Sequence, residues 1–199
     1  MNGKSQTTDP VEAKRSARRK ARLAIASLSL RQSSKDSEAV CRLILESREW
    51  RSATQVMLYM PSTGELEIKP LFSNGLDTGK RVALPRYSNE ISGYEACTIS
   101  NLDDVAPGKF GILEPPSASV KMDTKQLDLA IVPGVAFDGR GGRLGRGEGF
   151  FDRLLIDISA KKCGVCFEQQ LCHNVPVERH DVKMDMIATP SGWLNPPPA

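Results

Sequence analysis

Apolar and polar positions alternate with helical spacing over the first fifty residues of the chain. Within residues 11–30 the apolar positions recur every three or four residues, and Ala and Arg, which both favour helices, dominate the segment. A second segment of this kind spans residues 36–48, with Ser33, Ser34 and Asp36 available as caps. The pattern therefore predicts two helices, of which the first is strongly basic.

Short apolar runs of the kind found in buried strands occupy most of the remaining chain. The predicted strands are residues 55–60, 81–84, 94–99, 127–132, 163–167 and 187–189. Between them we expect a short helix at 68–72, a loop with one short strand at 101–116, a glycine-rich loop at 139–149 and a helix at 150–158. Helices that alternate with short strands predict an α/β fold, a single-domain layered sheet flanked by helices, Rossmann-like, with an N-terminal basic helix.

The length and the polar ends of the chain suggest its domain organisation. A chain of 199 residues suits one ordinary domain. We expect a disordered tail at residues 1–10, a single domain at 11–194 and a Pro-rich tail at 195–199. The longest apolar stretches, such as residues 129–137, are about half as long as a membrane-spanning helix. These observations predict a monomer with no membrane partner.

Charge and cysteine content suggest the compartment and exclude some partners. The net charge of +3 is too small to indicate nucleic acid by itself, although six of the nine residues at 14–22 are basic. Five cysteines, an odd number, do not describe a disulfide-stapled secreted domain. We therefore expect a reducing, cytoplasmic location. The alternative is an organellar transit peptide, which Asp9 and Glu12 disfavour.

The cysteine and histidine motifs raise three hypotheses, which are a metal site, a redox site and a hydrolase triad. Cys163 and Cys166 form a CxxC pair, but no second pair follows and the pair lies in a strand pattern, so buried structural thiols are the preferred interpretation. His173 and His180 are the chain's two histidines, and neither has a Ser or Cys nucleophile context. The sequence therefore disfavours a catalytic triad.

The most informative segment, residues 127–155, reads LDLAIVPGVAFDGRGGRLGRGEGFFDRLL. A predicted strand, a loop with six glycines and a helix follow one another, and such a loop can present unpaired N–H groups to a phosphate. Arg140, Arg143 and Arg146 add positive charge to it. The loop has neither the GxxxxGK[S/T] nor the GxGxxG spacing. A phosphate site is the preferred interpretation, and a flexible surface turn is the alternative.

Four charged side chains suit a nucleotide site, and three of them also have an ordinary structural explanation. Asp152, in the first helical turn after the loop, suits either the helix dipole or a Mg²⁺ ion that bridges phosphate oxygens. Asp181 would complete a metal site if the fold brought the two carboxylates together. Lys14 and Arg18 lie one helical turn apart, as expected for a phosphate-binding face or for a solvated basic one.

Taken together, the motifs resemble the 5-formyltetrahydrofolate cyclo-ligase family, also called methenyltetrahydrofolate synthetases. PGVAFDGRGGRLGRGEGFFDRLL is similar to the family's PGlaFD…G.RLGxGxGyYDr.L signature. Further similarity lies in KRSARR, YMPSTGELEI, LPRY, GILEP and CFEQQL…VPVERHDVKMDMIAT. The resemblance extends from Lys14 to about Trp193, and several ordered motifs are more specific than one glycine loop.

The resemblance implies an enzyme of folate one-carbon metabolism. ATP and Mg²⁺ would drive conversion of 5-formyltetrahydrofolate to 5,10-methenyltetrahydrofolate through a phosphorylated formyl group, with release of ADP and phosphate. ATP would be bound by Lys14, Arg18, Arg143, Leu144, Gly145, Arg146, Gly147, Glu148, Gly149, Phe150 and Phe151. The folate would be bound by Met60, Glu65, Arg146, Gly147, Glu148, Gly149 and Phe150. Asp152 and Asp181 would hold the metal, and Arg146 and Phe150 would lie at the reacting atoms.

Some positions depart from the family pattern or have no implied role. The family's usual tyrosine pair is replaced by Phe150-Phe151 here, and Glu148 stands where Gly or Lys is common. These departures bear on the reaction rate and the nucleotide affinity more than on the fold. Gln170 matches a recurring glutamine, and no role is assigned to it. The alternatives are a non-catalytic nucleotide- or folate-binding relative, a ligase for another formylated or thiamine-related amine, and a nucleic-acid binder. The lack of a second basic patch disfavours the last.

Overall fold

The computed structural model describes residues 9–178 and 181–197. Its helices are α1 (Pro10–Ala26), α2 (Leu30–Glu46), α3 (Arg48–Ser52), α4 (Lys69–Asp77) and α5 (Phe150–Ile156). Its strands are β1 (Gln55–Met57), β2 (Arg81–Ser88), β3 (Gly93–Ile99), β4 (Ala106–Pro107), β5 (Leu113–Glu114), β6 (Leu129–Pro133), β7 (Ala136–Asp138), β8 (Arg143–Leu144), β9 (Lys161–Val165), β10 (Leu171–Cys172), β11 (Met186–Thr189) and β12 (Gly192–Leu194). Short 3-10 helices lie at Leu102–Asp104, Lys109–Gly111, Thr124–Gln126 and Glu168–Gln170.

Seven strands form the central sheet, in the order β12-β11-β9-β6-β1-β2-β3. The five inner strands are parallel, and β3 and β12 pair antiparallel at the two edges. The strand order reverses between β1 and β6, and ligands of open α/β sheets bind in the crevice beyond the carboxyl ends of such strands. The predicted α/β sheet flanked by helices is confirmed, and its topology indicates where to look for the site.

Helices cover both faces of this sheet. Val40 of α2, Trp50 of α3 and Phe72 of α4 are buried in one apolar cluster on one face. Leu154 and Leu155 of α5 belong to a second cluster on the other face. Full burial of a large apolar side chain stabilises the fold by about 1.5–3 kcal/mol. Among the helices of the described residues, none is long and apolar enough to cross a membrane.

The basic helix α1 lies outside these two layers. It packs against a small sheet of order β10-β7-β8, where Ala17 and Ala21 contact a cluster that includes Val135 and Leu144. Small side chains allow a close approach of the helix to this sheet. The packing brings the basic helix next to the glycine-rich segment.

The boundaries predicted for the first two helices are wrong. The helix predicted to reach residue 30 ends at Ala26, and α2 starts at Leu30 rather than at residue 36. The reason is Ser29, whose hydroxyl accepts a hydrogen bond from the Gln32 N–H at 3.2 Å and so caps a new helix. Pro10 belongs to α1, so the tail predicted for residues 1–10 is too long, and residues 1–8 lie outside the described residues.

Tertiary pairing also changes several predicted strands and loops. The loop predicted at 139–149 contains β8, which pairs with β7 around a tight turn, and the loop at 101–116 contains two short strands instead of one. Strand β1 ends at Met57 rather than at residue 60, whereas β2 continues to Ser88. Helix α3 and strand β12 were not predicted. Residues 198–199 of the predicted Pro-rich tail, and His180, are outside the described part of the chain.

Candidate active site

Two clefts open beside the glycine-rich segment. Cleft A has a volume of about 580 Å³ and lies beyond the ends of β1 and β6, where the β4–β5 hairpin and α5 wall it. Cleft B has a volume of about 360 Å³ and lies between α1, the glycine-rich segment and residues 178 and 181. Both clefts are lined by Arg143, Gly145, Gly149 and Asp152. Ligands in the two clefts would therefore meet at these four residues.

A buried ion pair lies where the clefts meet. The Arg143 side chain is only 2% exposed, and its Nη2 donates to Oδ1 of Asp152 at 2.5 Å. Its Nη1 donates to the carbonyl of Pro133 at 3.2 Å, and its Nε has no hydrogen-bond partner among the described residues. A guanidinium with an unsatisfied donor attracts an anion, because burying an unpaired polar group costs free energy.

Helix α1 presents two cations to cleft B. Lys14 Nζ lies 2.6 Å from Glu178 Oε2 and 2.6 Å from Asp181 Oδ2. Burial alone would lower the pKa of Lys14, but the hydrogen bonds and charges of these carboxylates raise it above the ordinary value, so the amine is protonated. Arg18 Nε donates to the carbonyl of Gly145 at 2.9 Å. The two residues therefore contact the site instead of forming only a solvated face.

The two predicted metal carboxylates, Asp152 and Asp181, both line cleft B. Asp152 pairs with Arg143 and Asp181 with Lys14. No group of three or more His, Cys, Asp or Glu able to hold a metal occurs within the described ranges. Mg²⁺ at nucleotide sites uses one or two carboxylates and completes its shell with phosphate oxygens and water. The donor set fits Mg²⁺ that arrives with a phosphate.

Glu65 connects the end of β1 to the glycine-rich segment across cleft A. Its side chain is 11% exposed, and Oε1 lies 2.9 Å from Nη2 of Arg146. Oε2 accepts hydrogen bonds from the N–H of Ser62 at 3.0 Å and from its hydroxyl at 2.9 Å. Met60 lines the same cleft. A carboxylate held in place at a cleft wall can accept hydrogen bonds from a ligand with adjacent N–H groups.

Four packed aromatic rings, of which Tyr94, Phe110 and Phe150 line cleft A, form an aromatic wall, and only Phe150 among the four was expected from the sequence. The Phe150 ring packs edge-on against Tyr87 and Tyr94, with centroids 5.4 and 5.6 Å away, and lies 5.8 Å from Phe110. Burial raises the pKa of Tyr94, so this hydroxyl stays protonated. Tyr87 lies on the part of β2 beyond the predicted strand 81–84, and its pairing with Tyr94 depends on strand register, which the sequence does not show. The wall suits a flat ring.

The structure divides the predicted site residues between the clefts. Cleft B is lined by Lys14, Arg18, Arg143, Leu144, Gly145, Gly147, Gly149, Asp152 and Asp181. Cleft A is lined by Met60, Glu65, Arg143, Gly145, Arg146, Glu148, Gly149, Phe150, Phe151 and Asp152. Gly147, predicted to bind both ligands, thus lines cleft B, whereas Arg146, Glu148, Phe150 and Phe151 line cleft A. Sequence reasoning missed Arg153 and Glu178 in cleft B; the signal for Glu178 was an acid three residues before Asp181.

The CxxC pair lies in the core, away from these clefts. Cys163 and Cys166 are buried and unoxidised. Burial raises the pKa of Cys163 to about 12 and that of Cys166 further, and a protonated thiol is a poor nucleophile and metal ligand. The interpretation as structural thiols is confirmed.

Comparisons with known proteins show the family of the chain. The model of the 5-formyltetrahydrofolate cyclo-ligase family matches residues 10–190. A probable 5-formyltetrahydrofolate cyclo-ligase of Schizosaccharomyces pombe is 30% identical over 172 residues, which cover 77% of this chain and 83% of the relative. A 5-formyltetrahydrofolate cyclo-ligase of Mus musculus is 24% identical over 187 residues, which cover 88% of this chain and 92% of the mouse protein.

A solved structure extends the similarity to the whole fold. The NMR structure of Aquifex aeolicus 5,10-methenyltetrahydrofolate synthetase superposes with a TM-score of 0.84 at 29% identity and covers 94% of each chain. Family model, relatives and fold therefore lead to one conclusion. The chain belongs to the 5-formyltetrahydrofolate cyclo-ligase family and is a ligase.

Proposed function

We propose that this ligase uses ATP and Mg²⁺ to convert 5-formyltetrahydrofolate to 5,10-methenyltetrahydrofolate, with release of ADP and phosphate. The observation that supports the proposal most directly is the meeting of clefts A and B at Arg143, Gly145, Gly149 and Asp152. Phosphoryl transfer depends on placing the acceptor oxygen and the γ-phosphate in line and on neutralising charge between them. Two clefts that meet at a buried arginine suit both requirements.

We assign the nucleotide to cleft B and the folate to cleft A. Cleft B is lined by the glycine-rich segment with its Arg143 and by Lys14 and Arg18 of α1, and together they suit a triphosphate. In cleft A, Glu65 can accept hydrogen bonds from the amino and ring N–H groups of the pterin. The aromatic wall that contains Phe150 would pack against the flat rings of the folate.

The proposed chemistry makes the formyl oxygen into a leaving group. The formyl oxygen attacks the γ-phosphorus, the bond to the β–γ bridging oxygen breaks, and ADP departs. N10 then attacks the formyl carbon and loses its proton, the carbon–oxygen bond breaks, and phosphate departs with the former formyl oxygen. The carbon now bridges N5 and N10 as the methenyl cation. In this scheme Arg143 and Arg146 stabilise the negative charge on the transferred group.

Asp152 and Asp181 are the residues that would hold Mg²⁺ in cleft B. When bound, the ion supplies positive charge to the phosphate oxygens. In the free protein these carboxylates pair with Arg143 and Lys14. Arriving phosphate oxygens offer both cations another partner, so nucleotide binding would make the carboxylates available.

A spectrophotometric assay tests the proposal. Protein, Mg²⁺, ATP and 5-formyltetrahydrofolate are mixed, and the near-ultraviolet band of the methenyl cation is followed with and without ATP. We expect an ATP-dependent rise that Asp152→Ala abolishes and that Asp157→Ala, an exposed acid five residues along the chain, leaves intact. Tight ATP binding without any rise would refute the folate assignment.

We also propose that the protein acts in the cytoplasm as a monomer, with ATP and 5-formyltetrahydrofolate as ligands and without nucleic-acid or membrane partners. All five cysteines are free and four of them are buried, which suits a reducing compartment. Light scattering on purified protein, with and without ligands, tests the monomer.

A further inference from the structure

The Gln170 side chain uses all its polar groups to bind main chain. It is 2% exposed and lies at the end of a short 3-10 helix. Its Nε2 donates to the carbonyls of Gly134 at 2.7 Å and Val135 at 3.3 Å, and its Oε1 accepts from the N–H of Phe167 at 2.9 Å. Gln170 therefore connects the segment after β9 to the turn that follows β6.

That turn, residues 133–135, holds two residues in the middle of the glycine-rich segment. The Pro133 carbonyl accepts a hydrogen bond from Nη1 of Arg143 at 3.2 Å. The Val135 N–H donates to the Leu144 carbonyl at 2.7 Å. A side chain that fixes the turn thus also fixes Arg143, which lines both clefts, and Leu144, which lines cleft B. The turn itself lines cleft A.

The contacts continue to the candidate metal carboxylate. Arg143, once placed by the Pro133 carbonyl, holds Asp152 at 2.5 Å. Gln170 itself lines neither cleft, so it cannot touch a ligand there. Buried hydrogen bonds behind a binding residue set its orientation, and their loss typically weakens a site although no direct contact is removed.

We propose that Gln170 is a positioning residue for the place where the two clefts meet and acts on Arg143 and Asp152 through the 133–135 turn. The inference rests on the proposed function only in taking ATP and 5-formyltetrahydrofolate as the ligands. Pro133 and Gly134 of the turn line cleft A, and Arg143 and Asp152 line both clefts. The affinity for both ligands should therefore fall.

Calorimetric titration of Gln170→Glu tests the proposal without any need for turnover. The change keeps the size of the side chain but removes its N–H donors. Gln169→Glu is the matched control, because it adds the same charge one residue earlier on an exposed side chain. We expect the dissociation constant for Mg²⁺-ATP to rise about 10- to 100-fold in Gln170→Glu. The constant for 5-formyltetrahydrofolate should rise too, because Pro133 and Gly134 line its cleft, and the control should behave as wild type.

A second variant covers the case in which Gln170→Glu fails to fold. Gln170→Met has a similar volume and introduces no charge, and a loss of affinity for both ligands is expected here too. Unchanged affinity for either ligand in a folded variant, or failure of both variants to fold, would overturn the proposal and leave Gln170 as a support of the fold. A wild-type protein that binds Mg²⁺-ATP but forms no methenyl product would refute the proposed function alone.

Discussion

Glu65 shows how one side chain gains a role that its sequence context does not reveal. From the residues alone it reads as an ordinary turn residue, and its assignment to the folate came only from the family resemblance. In the structure its carboxylate holds Ser62 and Arg146 at the wall of cleft A. Long-range contacts of this kind depend on how β1 and the glycine-rich segment meet, which local sequence does not contain.

At this residue we predict that Glu65→Gln raises the KM for 5-formyltetrahydrofolate about 10- to 100-fold, because a hydrogen bond to a charged group contributes about 1.5–3 kcal/mol. The KM for ATP should change little, since Glu65 does not line cleft B. Steady-state kinetics measure both constants. Glu67→Gln, the same change on an exposed side chain, is the control, and equal folate KM values for the two variants would contradict the assignment.

Asp152 should matter for stability as well as for chemistry. Asp152→Asn removes the counter-charge of Arg143, whose side chain is 2% exposed. Breaking a buried ion pair from one side costs about 3–5 kcal/mol. At about 2–4 °C per kcal/mol for a chain of this length, calorimetry should show a fall in Tm of about 6–20 °C. Asp157→Asn should melt like wild type, and an unchanged midpoint for Asp152→Asn would show that Arg143 does not need this partner.

At the level of elements, the sequence predicted whether a segment is a helix or a strand better than it predicted the residues at which the segment begins and ends. The order of strand, glycine-rich segment and helix at 127–158 was correct because each element has a strong local signal. The β7–β8 hairpin inside that segment was missed, since strands of three and two residues exist through pairing rather than propensity. The docking of α1 on this hairpin was equally unpredictable, because it depends on the tertiary contact of Ala21 with Leu144.

The glycine-rich segment offers a matched pair of glycines. Gly149 precedes α5 with φ +68°, and a Cβ there would lie 3.4 Å from Nη1 of Arg153. Gly139 has an ordinary φ and open space around it. We predict that Gly149→Ala destabilises the protein by roughly 1–2 kcal/mol, the cost of a left-handed conformation, and weakens Mg²⁺-ATP binding. Urea unfolding and calorimetric titration measure the two effects. A Gly139→Ala variant as impaired as Gly149→Ala would contradict this account.

Glu114, in the β4–β5 hairpin, is a buried acid that should make the stability of the fold depend on pH. Glu114 is 7% exposed, its Oε2 accepts from the Tyr87 N–H at 3.1 Å, and its Oε1 has no hydrogen-bond partner among the described residues. Burial raises its pKa above the ordinary value of 4.5. Because the folded state binds this proton more tightly than the unfolded state, the stability from the protonated form is lost as pH rises through the raised pKa.

We therefore predict that Glu114→Gln gains stability relative to wild type as the pH rises. Near pH 4 both side chains are neutral and the free energies of unfolding should differ least. The difference should grow through the raised pKa and then level off. Urea unfolding of both proteins across this pH range measures it, and a difference that does not vary with pH would contradict the burial argument.

For the whole molecule, strand order decides where the chemistry can occur. The reversal between β1 and β6 places Met60 and Glu65 next to the glycine-rich segment, although that segment lies about eighty residues further along the sequence. The sequence predicted the α/β class, but not this order, which depends on pairing between distant strands. The resemblance supplied the site residues, and the fold then divided them between two clefts that meet at Arg143 and Asp152.

In the proposed reaction the formyl oxygen receives the γ-phosphoryl group where the clefts meet. This step can be tested with 5-formyltetrahydrofolate labelled with ¹⁸O in the formyl group, by determining with mass spectrometry where the label goes after turnover with Mg²⁺-ATP. We expect the label in the released phosphate. Unlabelled phosphate, with the label in water, would contradict it, because the formyl oxygen would then have left without being phosphorylated.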